Sequence, residues 1–202
     1  MNKKQSWKKR LDRGYKKYLK SPVGVFSTND SNDAKKIGEI IKQYDLRNCL
    51  DIGCGGLPLP LYMKINPEVE WYGIDPLLYC QQRQFHFLCG CAEKLPFLNK
   101  YFDGVLFASS IDHLLDPITA LQEAYRILKL QGYIFVWITE GRKVLLFKQQ
   151  KKLGFPFDKM HLWGFTSFIL TQLLKEQRFF VDAVHSLPSS RETFFVARKM
   201  EN

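Results

Sequence analysis

The sequence predicts an α/β fold: a three-layer sandwich around a seven-stranded, mostly parallel sheet that ends in an antiparallel hairpin. Three observations lead there. From residue 34 onward, short apolar runs alternate with segments of helical periodicity. The first run, Asn48 to Ile52, feeds directly into a glycine-rich turn, Gly53-Cys54-Gly55-Gly56. The last two runs, Phe179 to Ser186 and Glu192 to Arg198, are separated by a loop at Leu187-Pro188-Ser189-Ser190, short enough for antiparallel pairing.

Residues 1–33 read as an appendage to a domain over 34–202. Trp7, Leu11, Tyr15, Tyr18 and Leu19 recur at helical spacing among lysines and arginines. Gly14 weakens that helix by about 1 kcal/mol. The plainest expectation is an amphipathic helix whose aromatic stripe packs on the body while its charges are solvated. The functional readings are a lid over a ligand, contact with an anionic substrate, or adhesion to a membrane surface through residues 1–20. Ser21 to Asp33 reads as a linker, rich in Ser, Asn, Asp and Gly.

Within the domain, a helix from about Ala34 to Tyr44 precedes the first strand. A helix follows the glycine turn, with Pro58 and Pro60 near its start, where a missing N–H does little harm. The second strand, Glu70 to Ile74, ends at Asp75, and a short helix is expected over Leu77 to Gln84. Phe85 to Cys89 is the third strand, followed by Gly90-Cys91-Ala92-Glu93 and a loop anchored at Leu95-Pro96-Phe97. The fourth, Phe102 to Ala108, is mostly apolar, as a strand buried on both faces should be. It opens into Ser109-Ser110-Ile111-Asp112-His113. Asp116 and Pro117 supply a cap and a first helical residue. Ile118, Leu121, Tyr125 and Leu128 form that helix's buried stripe, Gly132 a turn, and Tyr133 to Thr139 the fifth strand. Glu140 to Phe165 is irregular and includes His161-Leu162-Trp163-Gly164-Phe165. Thr166 then caps a helix carrying Ile169, Leu170, Leu173 and Leu174.

Composition narrows the function. At 202 residues, with 46% apolar and 25% charged residues, the chain has room for one well-filled domain and an appendage. No apolar run approaches a membrane span and no secretion-type h-region is present, so a cytoplasmic location is expected. Five cysteines, an odd number, suggest free thiols. Cys89 and Cys91 have no second Cys or His pair at zinc spacing, and no metal is expected from them. Of the net charge of +10, residues 1–20 hold nine Lys or Arg against Asp12, so +8 belongs to one end and +2 to the rest.

The glycine turn and Asp75 carry the chemistry. A side chain at the turn would keep the backbone from bending sharply and lying against a ligand. Asp75 falls twenty positions after Gly55, where a strand-end carboxylate can accept bonds from both hydroxyls of a ribose. A nucleoside-containing cofactor follows.

Leu50-Asp51-Ile52-Gly53-Cys54-Gly55-Gly56, Gly73-Ile74-Asp75, Ala92-Glu93-Lys94-Leu95-Pro96-Phe97, Phe102-Asp103-Gly104-Val105 and Tyr125-Arg126-Ile127-Leu128-Lys129 with Gly132 stand in the order of five motifs. In this the chain, from about residue 34 to its end, resembles the class I S-adenosylmethionine-dependent methyltransferases of the small-molecule type, with their Rossmann-like fold. The resemblance implies S-adenosyl-L-methionine as cofactor, with Gly53 and Gly55 beside its methionine portion. It implies that Asp51 orients the turn or reaches the amino group through water, and that Asp75 holds the ribose. Cys91, Ala92 and Glu93 would line the adenine and Ser109 would face the methionine part, with Ser110 to His113 turned to the acceptor. The acceptor is expected to be a small molecule methylated at oxygen or nitrogen. His113 and His161 are the candidate bases, with Asp112 third. His86 and His185 lie on strands and are expected to be structural.

Three departures stand out: Leu57 where the family has its third glycine, Cys91 where an Asp commonly meets the adenine amino group, and Gln131 before a lone Gly132. The first two keep open a non-catalytic partner protein with a degraded site. A nicotinamide dehydrogenase is disfavoured by Pro58, three positions after Gly55. A nucleic-acid methyltransferase, prompted by the basic end, is disfavoured by the near-neutral body and the absence of a base-methylation motif.

Overall fold

The computed structural model describes residues 3–20, 31–77, 82–141 and 161–201. Its elements are α1 (Lys3–Lys20), α2 (Asn32–Ile41), β1 (Asn48–Ile52), α3 (Leu61–Ile65), β2 (Glu70–Asp75), β3 (His86–Cys89), β4 (Phe102–Ala108), a 3₁₀ turn (Ile111–His113), α4 (Pro117–Ile127), β5 (Leu128–Thr139), α5 (Ser167–Glu176), β6 (Phe179–Ser186) and β7 (Glu192–Lys199). The strands form one sheet in the order β3-β2-β1-β4-β5-β7-β6. All neighbours are parallel except β5–β7 and β6–β7. The chain starts in the middle of the sheet, winds outward to β3, then returns to β4. The carboxyl ends of β1 and β4 therefore lie side by side at a topological switch point, where ligands bind in open α/β sheets.

Two cores separate cleanly by strand periodicity. Leu50, Ile52, Val105, Phe107, Ile134, Val136, Phe195 and Ala197 face one layer, where they meet Ala120, Leu121 and Ala124 of α4 and Leu170, Leu173 and Leu174 of α5. Their sequence neighbours Cys49, Leu106, Phe135, Phe194 and Val196 face the other, against Ala34, Ile37 and Ile41 of α2 and Tyr62 and Met63 of α3. That alternation makes three layers out of near-continuous apolar strands. Trp7 of α1 packs on the first core, while Lys4, Lys8, Lys9 and Lys16 are exposed. The side chains of Tyr15, Tyr18 and Leu19, and residues 21–30 of the linker, lie outside the described residues.

Caps fix the helix starts. Asp116 accepts from Ile118 N with Pro117 as first helical residue, and Thr166 accepts from Ile169 N. Ser31 caps α2 by accepting from Ala34 N, so this helix starts and ends earlier than the expected 34–44. The last carbonyls of α4 are met by a lysine from β7. Lys199 Nζ donates to Tyr125 O and Leu128 O, both at 2.7 Å, and α4 passes directly into β5 at Leu128. The expected turn at Gly132 is instead an irregularity inside β5, where the pairing jumps from Phe102–Leu128 to Gly104–Tyr133 and Gln131 takes φ 61°.

α3 stands where the prolines were expected to place it, whereas the next expected helix does not reach its expected end. α3 is only five residues long and begins after Pro60, because the two prolines hold the chain extended first. Of the helix expected over Leu77 to Gln84, residues 78–81 lie outside the described residues, and Gln82 to Gln84 are not helical. No helix among the described residues is long and apolar enough to cross a membrane.

Candidate active site

The glycine turn lies where the parallel register of β1 and β2 puts it. Asp51 stands beside Gly73, and Gly53 N donates to Ile74 O at 2.8 Å. Gly53 (φ 79°) and Gly55 (φ 67°) both occupy the left-handed region, where a side chain is strained. At Gly53 space is also short: a Cβ there would come 2.5 Å from the Ser110 Cβ. Ser110 in turn donates its hydroxyl to Ile52 O, tying the end of β4 to the end of β1.

Two buried carboxylates flank the turn. Asp75 accepts from Gly55 N at 3.1 Å through Oδ2 and from Leu77 N at 2.9 Å through Oδ1. Each oxygen keeps a further lone pair, enough for the two hydroxyls of a ribose. Burial pushes the Asp75 carboxyl up to about 6, with the Leu77 and Gly55 amides and the Arg83 charge holding it down against that. Asp51, fully buried, accepts at Oδ2 a 2.6 Å hydrogen bond from the Tyr62 hydroxyl. Its other oxygen, Oδ1, is buried with no hydrogen-bond partner among the described residues. Burial pushes Asp51 up to about 7; the Tyr62 bond opposes this and Asp75 adds to it. An orphaned carboxylate oxygen beside a bare main-chain turn is the kind of vacancy a ligand's amino group or a water fills.

Arg83 was not singled out by sequence reasoning. Its Nη2 donates to Gly55 O at 2.6 Å and its guanidinium lies 3.7 Å from the Phe87 ring centroid, bracing the turn from the segment before β3. The only sequence signal was an arginine within the segment read as a helix.

Beyond β3, Ala92 is buried and Cys91 half-buried. Burial, then the Glu93 charge, push the Cys91 thiol upward, so it stands in its neutral form rather than as a carboxylate-like acceptor. Glu93 Oε1 accepts from Asp116 N at 3.0 Å, which spends part of this carboxylate on the start of α4. Ser109, at the end of β4, holds φ 53°, an uncommon conformation for a residue other than glycine. Its N donates to Trp137 O at 3.1 Å.

His113 and His161 come together, with ring centroids 4.6 Å apart. Asp112 lies between them, Oδ1 3.8 Å from His113 Nε2 and Oδ2 3.9 Å from His161 Nε2. His86 and His185 take no part: His86 stacks on Tyr72 and pairs with Glu70 at 3.3 Å on the surface, and His185 is on β6.

Comparison with known proteins places this geometry. A family model described as a methyltransferase domain matches residues 50–136. The ubiquinone/menaquinone biosynthesis C-methyltransferase UbiE of Coxiella burnetii is 32% identical over 54 residues, which is 27% of this chain and 22% of that protein. The chain thus spans about a fifth of that relative's length. Among solved structures, the 1,6-didemethyltoxoflavin-N1-methyltransferase of Burkholderia thailandensis, with 1,6-didemethyltoxoflavin and S-adenosylhomocysteine bound, superposes with TM-score 0.74. It is 15% identical, and the match covers 98% of this chain and 90% of that one. A SAM-dependent methyltransferase of Methanosarcina mazei gives TM-score 0.56 at 22% identity, covering 81% and 98%. At such identities the structural likeness speaks for the fold, and the matched domain runs from β1 into β5. Taken together, these findings show a methyltransferase domain over residues 50–136, set in a fold similar to that of S-adenosylmethionine-dependent methyltransferases.

Proposed function

We propose that the protein is an S-adenosylmethionine-dependent methyltransferase that moves a methyl group to oxygen or nitrogen of a small-molecule acceptor. The observation that carries the reading is the Asp75 carboxylate bonded to the Gly55 amide at 3.1 Å, which sets a ribose-binding acid against a glycine turn. Asp75 holds the ribose, and the backbone of Gly53 and Gly55 lies along the methionine portion. Asp51 Oδ1 takes the amino group, directly or through a water. Cys91, Ala92 and Glu93 line the adenine, with the main chain doing the work that an Asp at position 91 would share, and Ser109 faces the methionine end.

When bound, the cofactor supplies a methyl group on a positively charged sulfur that leaves as a neutral thioether. The chain's own task is therefore mainly to align the acceptor and exclude water, which can supply much of the rate. His113 and His161 face the acceptor, and either takes the proton from its hydroxyl or amine, while Asp112 steadies the imidazolium that forms. The exposed lysines of α1 keep an anionic acceptor, a membrane surface and, less favoured, nucleic acid as partners for residues 1–33.

Incubation with methyl-labelled S-adenosylmethionine and a cell extract split into small-molecule, RNA and lipid fractions tests this. Label is expected in the small-molecule fraction and absent with Asp75→Ala. Label in RNA, or in no fraction, contradicts it.

A further inference from the structure

The acceptor end of the site holds three side chains of metal-ligating type from two separate segments. Asp112 and His113 lie on the 3₁₀ turn after β4, and His161 opens the stretch before α5. Their ligating atoms all lie within 4.8 Å of one another. The two imidazole–carboxylate gaps, 3.8 and 3.9 Å, are too long for hydrogen bonds. Asp112 Oδ1 is buried and has no hydrogen-bond partner among the described residues. A carboxylate so placed has given up water without a bond in return. An ion held about 2.0–2.2 Å from each of two donors spreads them roughly 3–4 Å apart. The gaps at Asp112 are therefore of bridging length.

The backbone holds the three carriers together. Leu162 N and Trp163 N both donate to Asp112 O, at 2.9 and 3.1 Å, and Trp163 Nε1 donates to Leu114 O at 2.8 Å. His113 N donates to Ser110 O at 3.0 Å. The residue after His161 is thus fastened to the residue that bears the carboxylate. The imidazoles themselves remain reachable, His113 being 39% and His161 36% exposed in their side chains.

We infer that Asp112, His113 and His161 bind one divalent transition-metal ion and leave at least one coordination position open towards the acceptor. Two imidazoles and one carboxylate are a ligand set that zinc and iron(II) accept, and three protein ligands with an open position mark a site built for chemistry rather than for folding. Ion binding stands on this geometry alone. Its meaning rests on the methyltransferase reading: an acceptor hydroxyl joined to the ion loses its proton more readily, and the ligated imidazoles no longer serve as bases.

Calorimetric titration of the full chain with zinc chloride, without cofactor, tests the site, and cobalt(II) absorption reports the ligand type. One equivalent should bind, with cobalt bands free of thiolate charge transfer. His161→Ala and Asp112→Asn should each weaken binding by at least about 100-fold, since even indirect partners of a metal site cost 10–100-fold. If Asp112→Asn does not fold, His161→Ala, at a partly exposed position, decides. No binding by the wild-type chain, binding that survives His161→Ala, or a thiolate band from Cys89 and Cys91 overturns the inference. Such a failure leaves the methyltransferase reading intact with His113 and His161 as bases, whereas loss of S-adenosylhomocysteine binding beside intact zinc binding would sink that reading and spare this one.

Discussion

The two halves of the site are built in opposite ways. The half proposed to hold the cofactor is main chain plus two buried carboxylates, fixed by the register of adjacent parallel strands: Asp51 lies beside Gly73 and Asp75 beside Cys89. The half proposed to meet the acceptor is side chains from segments far apart in sequence, drawn together by two amides on one carbonyl, Asp112 O. A ligand's constant part can be met by geometry that the sheet supplies. Its variable part is met by loops, which can change without disturbing the sheet.

The contrast is broken most severely at the turn. Gly53→Ala combines left-handed strain with an overlap against Ser110, and should cost about 2–4 kcal/mol in urea unfolding and abolish cofactor binding. An unchanged midpoint would mean that main-chain geometry does not set this half. The smaller effect comes from the carboxylates. Asp51 and Asp75 hold their protons more tightly folded than unfolded, so their contribution to stability is complete below the usual carboxyl range near 4 and is lost as the pH rises through about 6 and about 7. The ligand-free chain should therefore melt at lower temperature at pH 8 than at pH 5. Tyr62→Phe removes the bond that favours the Asp51 anion, so it should extend the decline to higher pH and cost about 1–2 kcal/mol at pH 8, less at pH 5. Parallel pH curves for wild type and variant would show that Asp51 does not titrate there.

These same differences explain what the sequence made legible. β1, β2 and β4 begin and end where their apolar runs do, and Asp116-Pro117 and Thr166 mark α4 and α5, because strand burial and caps are local signals. Asp75 was readable from its spacing to Gly55, since one strand and one turn fix the distance. Arg83 was not, because its reason for being is a tertiary bond to Gly55 O that outweighs its helix propensity. Nor was the passage of α4 straight into β5, which depends on Lys199 arriving from the last strand. His113 and His161 could each be suspected from sequence. Their convergence on Asp112 could not, since the bonds that cause it join amides, and amides carry no residue-specific signal.

The account's central claim is that a bare turn and a neighbouring carboxylate grip a nucleoside. Calorimetry with S-adenosylhomocysteine tests it most directly. One molecule should bind per chain, and Asp75→Ala should weaken binding by more than about tenfold, the loss of roughly one charge-assisted pair of hydrogen bonds. An affinity unmoved by Asp75→Ala would remove that residue from the site, and a chain that takes no S-adenosylhomocysteine, or takes a nicotinamide dinucleotide in its place, would contradict the account.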